Sequence, residues 1–141
     1  MAKVLNVAIV SAEAEIYSGT AAMVSATAEL GELGVTPGHT PLLTHLAPGD
    51  VRVVHENGEE EVIYVSGGML EIQPDVVTIL SDTAIRARDL DEKAALEAKQ
   101  RAEERLAQQR EDYDFARARA ELAQAAAQLR AIQKLRGSGR A

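Results

Sequence analysis

Residues 51–65 read VRVVHENGEEEVIYV, two runs rich in β-branched residues on either side of a turn sequence. Asn57-Gly58 tolerates the positive φ angles of a type I′ turn, which joins the two strands of a hairpin. The stretch therefore predicts antiparallel strands at Val51–His55 and Glu61–Val65. Further turn signals lie on both sides without intervening helical periodicity, which favours an antiparallel sandwich over a parallel sheet. Other short strands are predicted at Lys3–Val10, Ala22–Ala28, Gly31–Val35, Met69–Ile72 and Val76–Leu80.

Glycine and proline divide the chain into two parts. All four prolines and eight of the ten glycines precede residue 75, and no glycine lies between Met69 and Arg136. Because Gly and Pro cost about 1 and 3 kcal/mol inside a helix, the second part is predicted to be helical. The predicted fold class is therefore α+β. An N-terminal antiparallel β-sandwich over residues 1–86 is followed by a C-terminal two-helix antiparallel hairpin over residues 87–141.

The helical part shows the pattern of a loosely held hairpin. The first helix is predicted over residues 90–109, with Asp89 as its N-cap and Glu92 completing a variant of the capping box. One face of this helix carries Ala94, Ala98, Ala102 and Leu106. The second helix has a coiled-coil seam at 3-4-3-4-3 spacing, formed by Phe115, Ala118, Leu122, Ala125, Leu129 and Ile132. Alanine buries little apolar area, so we expect a marginal packing, against itself or the sandwich, that partners can rearrange.

Composition and charge exclude several classes of protein. The formal net charge of -7 argues against a general nucleic-acid binder, and the lack of cysteine excludes disulfides and thiolate chemistry. No apolar run approaches the roughly 20 residues that span a bilayer, and the N-terminus lacks a signal-peptide pattern. We therefore expect an intracellular protein that contacts membranes only through partners. Its basic charge is concentrated near the end, where residues 115–141 hold six basic side chains against Glu121 alone.

Patterns for catalysis and metal binding are sparse. Ser66-Gly67-Gly68 resembles a nucleophile turn, but Tyr64 stands where that motif needs glycine, so a turn between strands is favoured. The three histidines, His39, His45 and His55, do not have ligand spacing, and no metal site is predicted. The acidic run at residues 59–61 is interpreted as a solvated strand end. No catalytic residue is predicted, and a small hydrolase using Ser66 or His39 and a stand-alone adaptor or chaperone are the alternatives.

Three motifs occur in order along the chain. Residues 31–43 read GELGVTPGHTPLL, residues 64–74 read YVSGGMLEIQP, and residues 82–86 read DTAIR, before the alanine-rich helical end. Together they closely resemble the epsilon subunit family of bacterial F-type ATP synthases, which is called delta in mitochondria. The resemblance implies a non-catalytic rotor subunit, peripheral on the cytoplasmic face of the bacterial inner membrane. It implies a sandwich that binds the gamma subunit and rests on the c-ring, and a hairpin that inhibits ATP hydrolysis.

The resemblance also implies two sets of contact residues. The loop facing the c-ring is expected to include Glu29, Glu32, His39 and Thr40. Glu32 is expected to pair with a basic ring loop, a contact that contributes at most about 1 kcal/mol when exposed. In an extended hairpin, the second helix is expected to meet acidic residues of the alpha/beta catalytic head through Arg117, Arg119, Arg130, Lys134 and Arg136. Attraction between opposite charges then speeds the encounter.

A nucleotide site is not predicted. Some members of the family bind ATP through an apolar-Asp-x-x-Arg-Ala motif in the first helix. The matching stretch here is Leu90-Asp91-Glu92-Lys93-Ala94-Ala95, with Ala94 in place of the arginine whose guanidinium would bind phosphate. Asp91 is thus only a weak candidate for nucleotide binding. Asp91 and Glu92 are interpreted as first-turn acids favoured by the helix dipole, and no cofactor is expected.

Overall fold

The structure is a computed structural model, and it describes residues 3–108 and 115–138. The first part of the chain folds into strands as predicted, in more and longer segments than the sequence indicates. The strands are β1 (Leu5–Ser11), β2 (Glu15–Ala21), β3 (Met23–Ala28), β4 (Gly31–Val35), β5 (Leu42–Val54), β6 (Glu60–Val65), β7 (Gly68–Ile72), β8 (Val76–Ser81) and β9 (Ala84–Arg86). The predicted α+β class, a β-sandwich followed by two helices, is confirmed.

The strands form two layers joined through β5: the first contains β2, β1, β8, β7 and residues 42–46 of β5, and the second contains β4, β3, β6, β9 and residues 49–54 of β5. The hydrogen-bonded order is β2-β1-β8-β7-β5-β3-β4, and β6 pairs with β5 and β9. Residues 42–46 of β5 pair with β7, whereas residues 49–54 pair with β6. All pairs are antiparallel except β1 with β8, which is parallel. The sandwich is therefore antiparallel with one parallel contact. This contact joins the β1–β2 pair to β8 and so to the rest of the first layer.

Three strands differ from the sequence-based prediction: β5 is longer than predicted, and β2 and β9 were not predicted. β5 begins at Leu42 rather than Val51, because Pro48 and Gly49 mark the passage from one layer to the other and not the start of a strand. In β2, Gly19 occupies the inward position between Tyr17 and Ala21, so the alternation of apolar side chains that signals a strand is interrupted.

The space between the layers is filled almost entirely by aliphatic side chains. Tyr17 is the one aromatic residue of the core cluster, in keeping with an aromatic content of 3%. The largest side chains that are fully buried in this cluster are Leu5, Ile9, Val24, Val35, Val51, Val53, Ile63, Val65, Leu70, Ile72 and Ile79. β-branched residues pack well on a pleated surface, so a core of this composition stabilises sheets rather than helices.

A short 3-10 helix, Ala87–Asp89, leads from β9 into α1 (Glu92–Gln108), and α2 (Phe115–Ser138) follows. The predicted N-cap was wrong. Asp89 lies in the 3-10 helix, and Asp91 caps α1 instead, because its Oδ1 accepts the Ala94 N–H at 3.1 Å. Ala87 is buried against α2, which keeps this turn on the sandwich and delays the start of α1. Residue 109, the predicted end of the first helix, lies outside the described residues, as does the predicted polar break at 110–114.

The two helices pack antiparallel. Arg105 near the end of α1 pairs with Glu121 near the start of α2, and Arg136 near the end of α2 pairs with Glu92 at the start of α1. Of the predicted seam, Ala118, Ala125 and Ile132 are buried, while Phe115, Leu122 and Leu129 are half-buried. On α1 the buried positions are Ala95 and Ala102. The predicted Ala94 is exposed, since the face turned inward begins one residue later.

Candidate functional site

The contact between α2 and the sandwich is the first candidate site. Ala127 and Ala131 have no exposed surface, and they pack against Val62 and Tyr64 on the outer face of β6. Ile85, Leu90 and Leu135 cover the edges of this contact. α2 is thus buried on two sides, towards α1 and towards the sheet, so the hairpin lies folded on the sandwich. We call this surface the helix–sandwich contact.

Packing of the hairpin against the sandwich was predicted only as an alternative to packing against itself, and the residues of this contact were not identified, although β6 carries a signal for them. Val62, Ile63, Tyr64 and Val65 are all buried, because odd residues face the core and even residues face α2. A continuous apolar run of this kind indicates a strand that is covered on both faces. The second alanine stripe of α2, at residues 127 and 131, is the matching signal on the helix.

Tyr64 links the two elements through its hydroxyl group. Its side chain is hydrogen-bonded to that of Gln128 on α2, and only 1% of the residue is exposed. Burial raises the pKa of Tyr64 above its ordinary value of 10.0, although the hydrogen bond to Gln128 opposes this shift. The phenol is therefore neutral near pH 7, which suits a buried group.

An ion pair stands beside this tyrosine. The Lys134 Nζ lies 3.0 Å from Oδ1 and 2.8 Å from Oδ2 of Asp50 on β5. Asp50 is opposite Tyr64 in the β5–β6 register, and its side chain is 3% exposed, whereas that of Lys134 is 36% exposed. Glu32 on β4 approaches the same Nζ to 4.0 Å. Lys134, predicted as a contact to the catalytic head, is thus turned towards the sandwich.

The other predicted basic contacts of α2 lie on its exposed surface. Arg136 forms an ion pair with Glu92 on α1, and Arg117 pairs with Glu121 one helical turn away. Arg119 and Arg130 are exposed. Exposed pairs of this kind contribute little to stability, so most of the basic charge of α2 is accessible to a partner.

The four residues predicted to face the c-ring do not form one cluster. Glu29 lies at the β3–β4 turn, where its N–H donates to the carbonyl of His45, which is opposite Met69. His39 and Thr40 lie in the β4–β5 loop, where Gly38 N–H donates to the carbonyl of Pro74. Met69 lies near one end of β7 and Pro74 lies beyond the other end, and five residues of extended chain span roughly 16 Å. Glu29 is therefore far from His39 and Thr40. Glu32 lies on β4, on the side that faces α2.

The weak candidates for chemistry have structural partners. The Ser66 Oγ accepts the Thr83 N–H at 3.1 Å and lies 3.3 Å from the Ser81 Oγ, as expected for a turn between strands. In the acidic run, Glu60 pairs with Arg52, and Glu61 pairs with Arg86 and with His55. Asp91 caps α1. Among residues 3–108 and 115–138, no group of three or more potential ligands is placed to hold a metal ion.

A second candidate surface is the outer face of the first layer. Val10, Leu80, Met69 and His45 are neighbours across four strands, and Leu43 lies beside this row on β5. Leu43 and Leu80 are 63% and 52% exposed. α2 packs on the second layer, against β5 and β6, so this apolar row is on the opposite side of the sandwich. Exposed apolar side chains grouped on one face, as Leu43 and Leu80 are here, are typical of interaction surfaces. Neither described helix is both long enough and apolar enough to cross a membrane.

These features define a β-sandwich subunit that carries a helical hairpin on one layer and an apolar surface on the other. The family model for the ATP synthase delta/epsilon chain β-sandwich domain matches residues 4–87, and that for its long α-helix domain matches residues 88–133. The chain therefore belongs to the ATP synthase delta/epsilon chain family.

Similar curated proteins and solved structures agree with this assignment. The ATP synthase epsilon chain of Nitrosococcus oceani is 60% identical over 136 residues, covering 96% of this chain and 97% of the relative. That of Nitrosospira multiformis is 59% identical, with coverages of 96% and 98%. A chain in the cryo-EM structure of the Euglena gracilis mitochondrial ATP synthase has a TM-score of 0.71 at 22% identity, covering 99% of this chain and 83% of that one. A chain of the Tetrahymena thermophila central stalk and c-ring has a TM-score of 0.57 at 14% identity, with coverages of 91% and 96%. At these identities the likeness to the solved structures is one of fold.

Proposed function

We propose that this chain is a non-catalytic central-stalk subunit of a bacterial F-type ATP synthase, which turns with the gamma subunit and the c-ring. Two curated relatives that carry the name ATP synthase epsilon chain match nearly its full length. That coverage favours a stalk subunit over a stand-alone adaptor or chaperone. The hydrolase alternative has no support at Ser66, since the groups that contact its hydroxyl are another hydroxyl and a backbone N–H.

Residues 1–86 serve as the docking part in this proposal. The exposed apolar row on the first layer, with Leu43 and Leu80, is the surface offered to the gamma subunit. Glu29, Glu32, His39 and Thr40 face the c-ring. Because they are spread along the sandwich, the contact to the ring depends on many weak interactions rather than on one ion pair. The chain then reaches the membrane only through the c-ring, on the cytoplasmic face of the bacterial inner membrane.

Residues 87–141 serve as a brake that exists in two positions. In the folded position, α2 lies on the sandwich and the rotor turns freely. In the extended position, α2 reaches the alpha/beta head, where Arg117, Arg119 and Arg130 meet acidic side chains. The observation that carries this proposal is the composition of the helix–sandwich contact, where alanine methyl groups supply the fully buried surface of the helix. Each methyl contributes far less than a leucine side chain, so the folded position is separable at modest cost.

Deletion of residues 89–141 tests the brake. We expect the truncated chain to assemble into the synthase, because the docking surfaces lie in the sandwich, and we expect ATP hydrolysis to rise several-fold under inhibiting conditions. A deletion of residues 139–141 alone is the control, since it keeps all five predicted basic contacts. The proposed brake is wrong if the long deletion and the full chain hydrolyse ATP at the same rate. The proposed docking is wrong if the truncated chain no longer co-purifies with the complex.

We further propose that the chain works without a bound nucleotide. The helix stretch that would bind ATP has Ala94 at the arginine position, and the Asp91 carboxylate is engaged by the Ala94 N–H. Isothermal titration of the full chain with ATP should give only heats of dilution up to millimolar concentrations. Heat that saturates at or below a millimolar concentration of ATP contradicts the proposal.

A further inference from the structure

The burial of Asp50 depends on the hairpin. Val51 and Val53 face the core of the sandwich, so Asp50 and Arg52 face the other way, towards the surface of the second layer. On this surface α2 packs over β5 and β6. Asp50 is nevertheless 3% exposed, less than any other acidic residue in the described part of the chain. Its shielding from water is therefore supplied by the helix, and it becomes solvated when the helix leaves.

The ammonium group of Lys134 compensates the charge of the buried Asp50 carboxylate. Its ammonium group contacts both oxygens of Asp50, at 2.8 and 3.0 Å. A buried carboxylate is strongly destabilising without such a partner, whereas a carboxylate in water is not. Loss of Lys134 can thus be relieved without unfolding the sandwich, by lifting α2 away and returning Asp50 to water. Loss of Asp50 is less severe, because the Lys134 side chain is already 36% exposed.

We propose that Asp50 and Lys134 form a lock that selects the folded position of the hairpin. The effect of this lock on ATP hydrolysis rests on the proposed function. Because Lys134 is also one of the basic residues expected to meet the catalytic head, the lock and the brake compete for the same ammonium group. The helix then engages the head only after this group has left Asp50, and the strength of the pair sets how often that happens.

Hydrogen exchange of α2 amides in the isolated full-length chain tests the lock. We expect Lys134→Met to increase exchange at the end of α2 at least about tenfold, since it leaves the buried Asp50 carboxylate with no contacting cation, only the more distant charge of Arg52, which pairs with Glu60. Asp50→Asn should give a smaller increase, of about threefold, because the freed lysine reaches water. Glu32→Gln is the matched control. It removes a carboxylate near the same ammonium group, but one that is 58% exposed, and it should change exchange by less than about twofold.

The double variant D50N/K134M is the control for a general folding defect caused by the substitution at residue 134. With neither charge present, only a neutral amide is buried without a partner at residue 50, which costs less than an unpaired carboxylate, so α2 should be clearly better protected than in Lys134→Met alone. The lock is overturned if Lys134→Met leaves α2 protection unchanged. It is also overturned if the strands of the sandwich lose protection together with the helix, since Asp50 is then not relieved by helix opening.

Competition for Lys134 between the lock and the catalytic head is tested separately, by the rate of ATP hydrolysis of the assembled enzyme. Asp50→Asn releases the lysine from the sandwich while keeping it available for the head, and it should lower ATP hydrolysis. Equal hydrolysis by Asp50→Asn and the original enzyme overturns the competition. That result does not contradict the lock itself, which is tested by the hydrogen-exchange measurements. Unchanged exchange overturns the lock without affecting the truncation test of the brake.

Discussion

Replacing Gly68 with alanine is expected to destabilise the sandwich by about 4 kcal/mol or more, which is a large fraction of the stability of a typical domain. Gly68 follows the turn after β6 and has a φ of +132°, outside the range that L side chains favour. A Cβ built at this position lies 2.0 Å from the carbonyl oxygen of Leu80 on β8. Since that oxygen belongs to the backbone of the neighbouring strand, the clash is removed only by separating β7 from β8.

Gly58→Ala is the matched control for this prediction. Gly58 also has a positive φ, +88°, but a Cβ there meets nothing within 4 Å. Only the strain of the backbone remains, and we expect a loss of about 1 kcal/mol. Urea unfolding followed by circular dichroism measures both variants. Equal losses of stability for the two variants would show that the close approach of Leu80 does not constrain residue 68.

Replacing Tyr64 with alanine is expected to release α2 while the sandwich remains folded. The side chain of Tyr64 faces α2, is 1% exposed and is hydrogen-bonded to Gln128. Truncating a buried aromatic side chain costs about 3 to 5 kcal/mol. Because the cavity opens under the helix and not between the sheets, that cost falls on the helix–sandwich contact, and even its lower end shifts an equilibrium more than 100-fold.

A single introduced thiol reports this release, because the chain has no cysteine of its own. In an Ala131→Cys background the thiol is covered by the sandwich, and Tyr64→Ala should raise its rate of alkylation more than about 100-fold. Tyr64→Phe, which removes only the hydroxyl, should raise it about fivefold, the effect of one hydrogen bond. Ala123→Cys lies on the exposed side of α2 and gives the rate of an accessible thiol. An alkylation rate that Tyr64→Ala leaves unchanged would mean that the tyrosine does not hold the helix.

Local patterns predicted the elements of this fold well. The hairpin at residues 51–65 is present, because β-branched runs and an Asn-Gly turn act within a few residues of each other. The 3-4 spacing of α2 likewise indicated positions that are buried or half-buried in the structure. Asp89 and Asp91 are two residues apart, and either has the chemistry of an N-cap. The packing of Ala87, which the sequence does not reveal, decided between them.

Contacts between distant segments could not be predicted in the same way. Asp50 and Lys134 are 84 residues apart, and Asp50 follows Pro48-Gly49, which reads as a loop rather than the middle of a strand. The spacing of Ala127 and Ala131 places them on one face of α2, but the sequence does not reveal which part of the sheet this face contacts. The residues of the helix–sandwich contact are therefore of common types. Their role is evident only once the fold has placed them against their partners.

The passage of β5 from one layer to the other has a mechanical consequence. Leu43 on the open side of the sandwich and Asp50 beneath the helix belong to one unbroken strand, seven residues apart. Tension applied at the first site reaches the second along covalent backbone, with hydrogen-bonded neighbours on both flanks. In the proposed docking, displacement of the first site is thus coupled to the second through continuous backbone rather than through side-chain contacts alone.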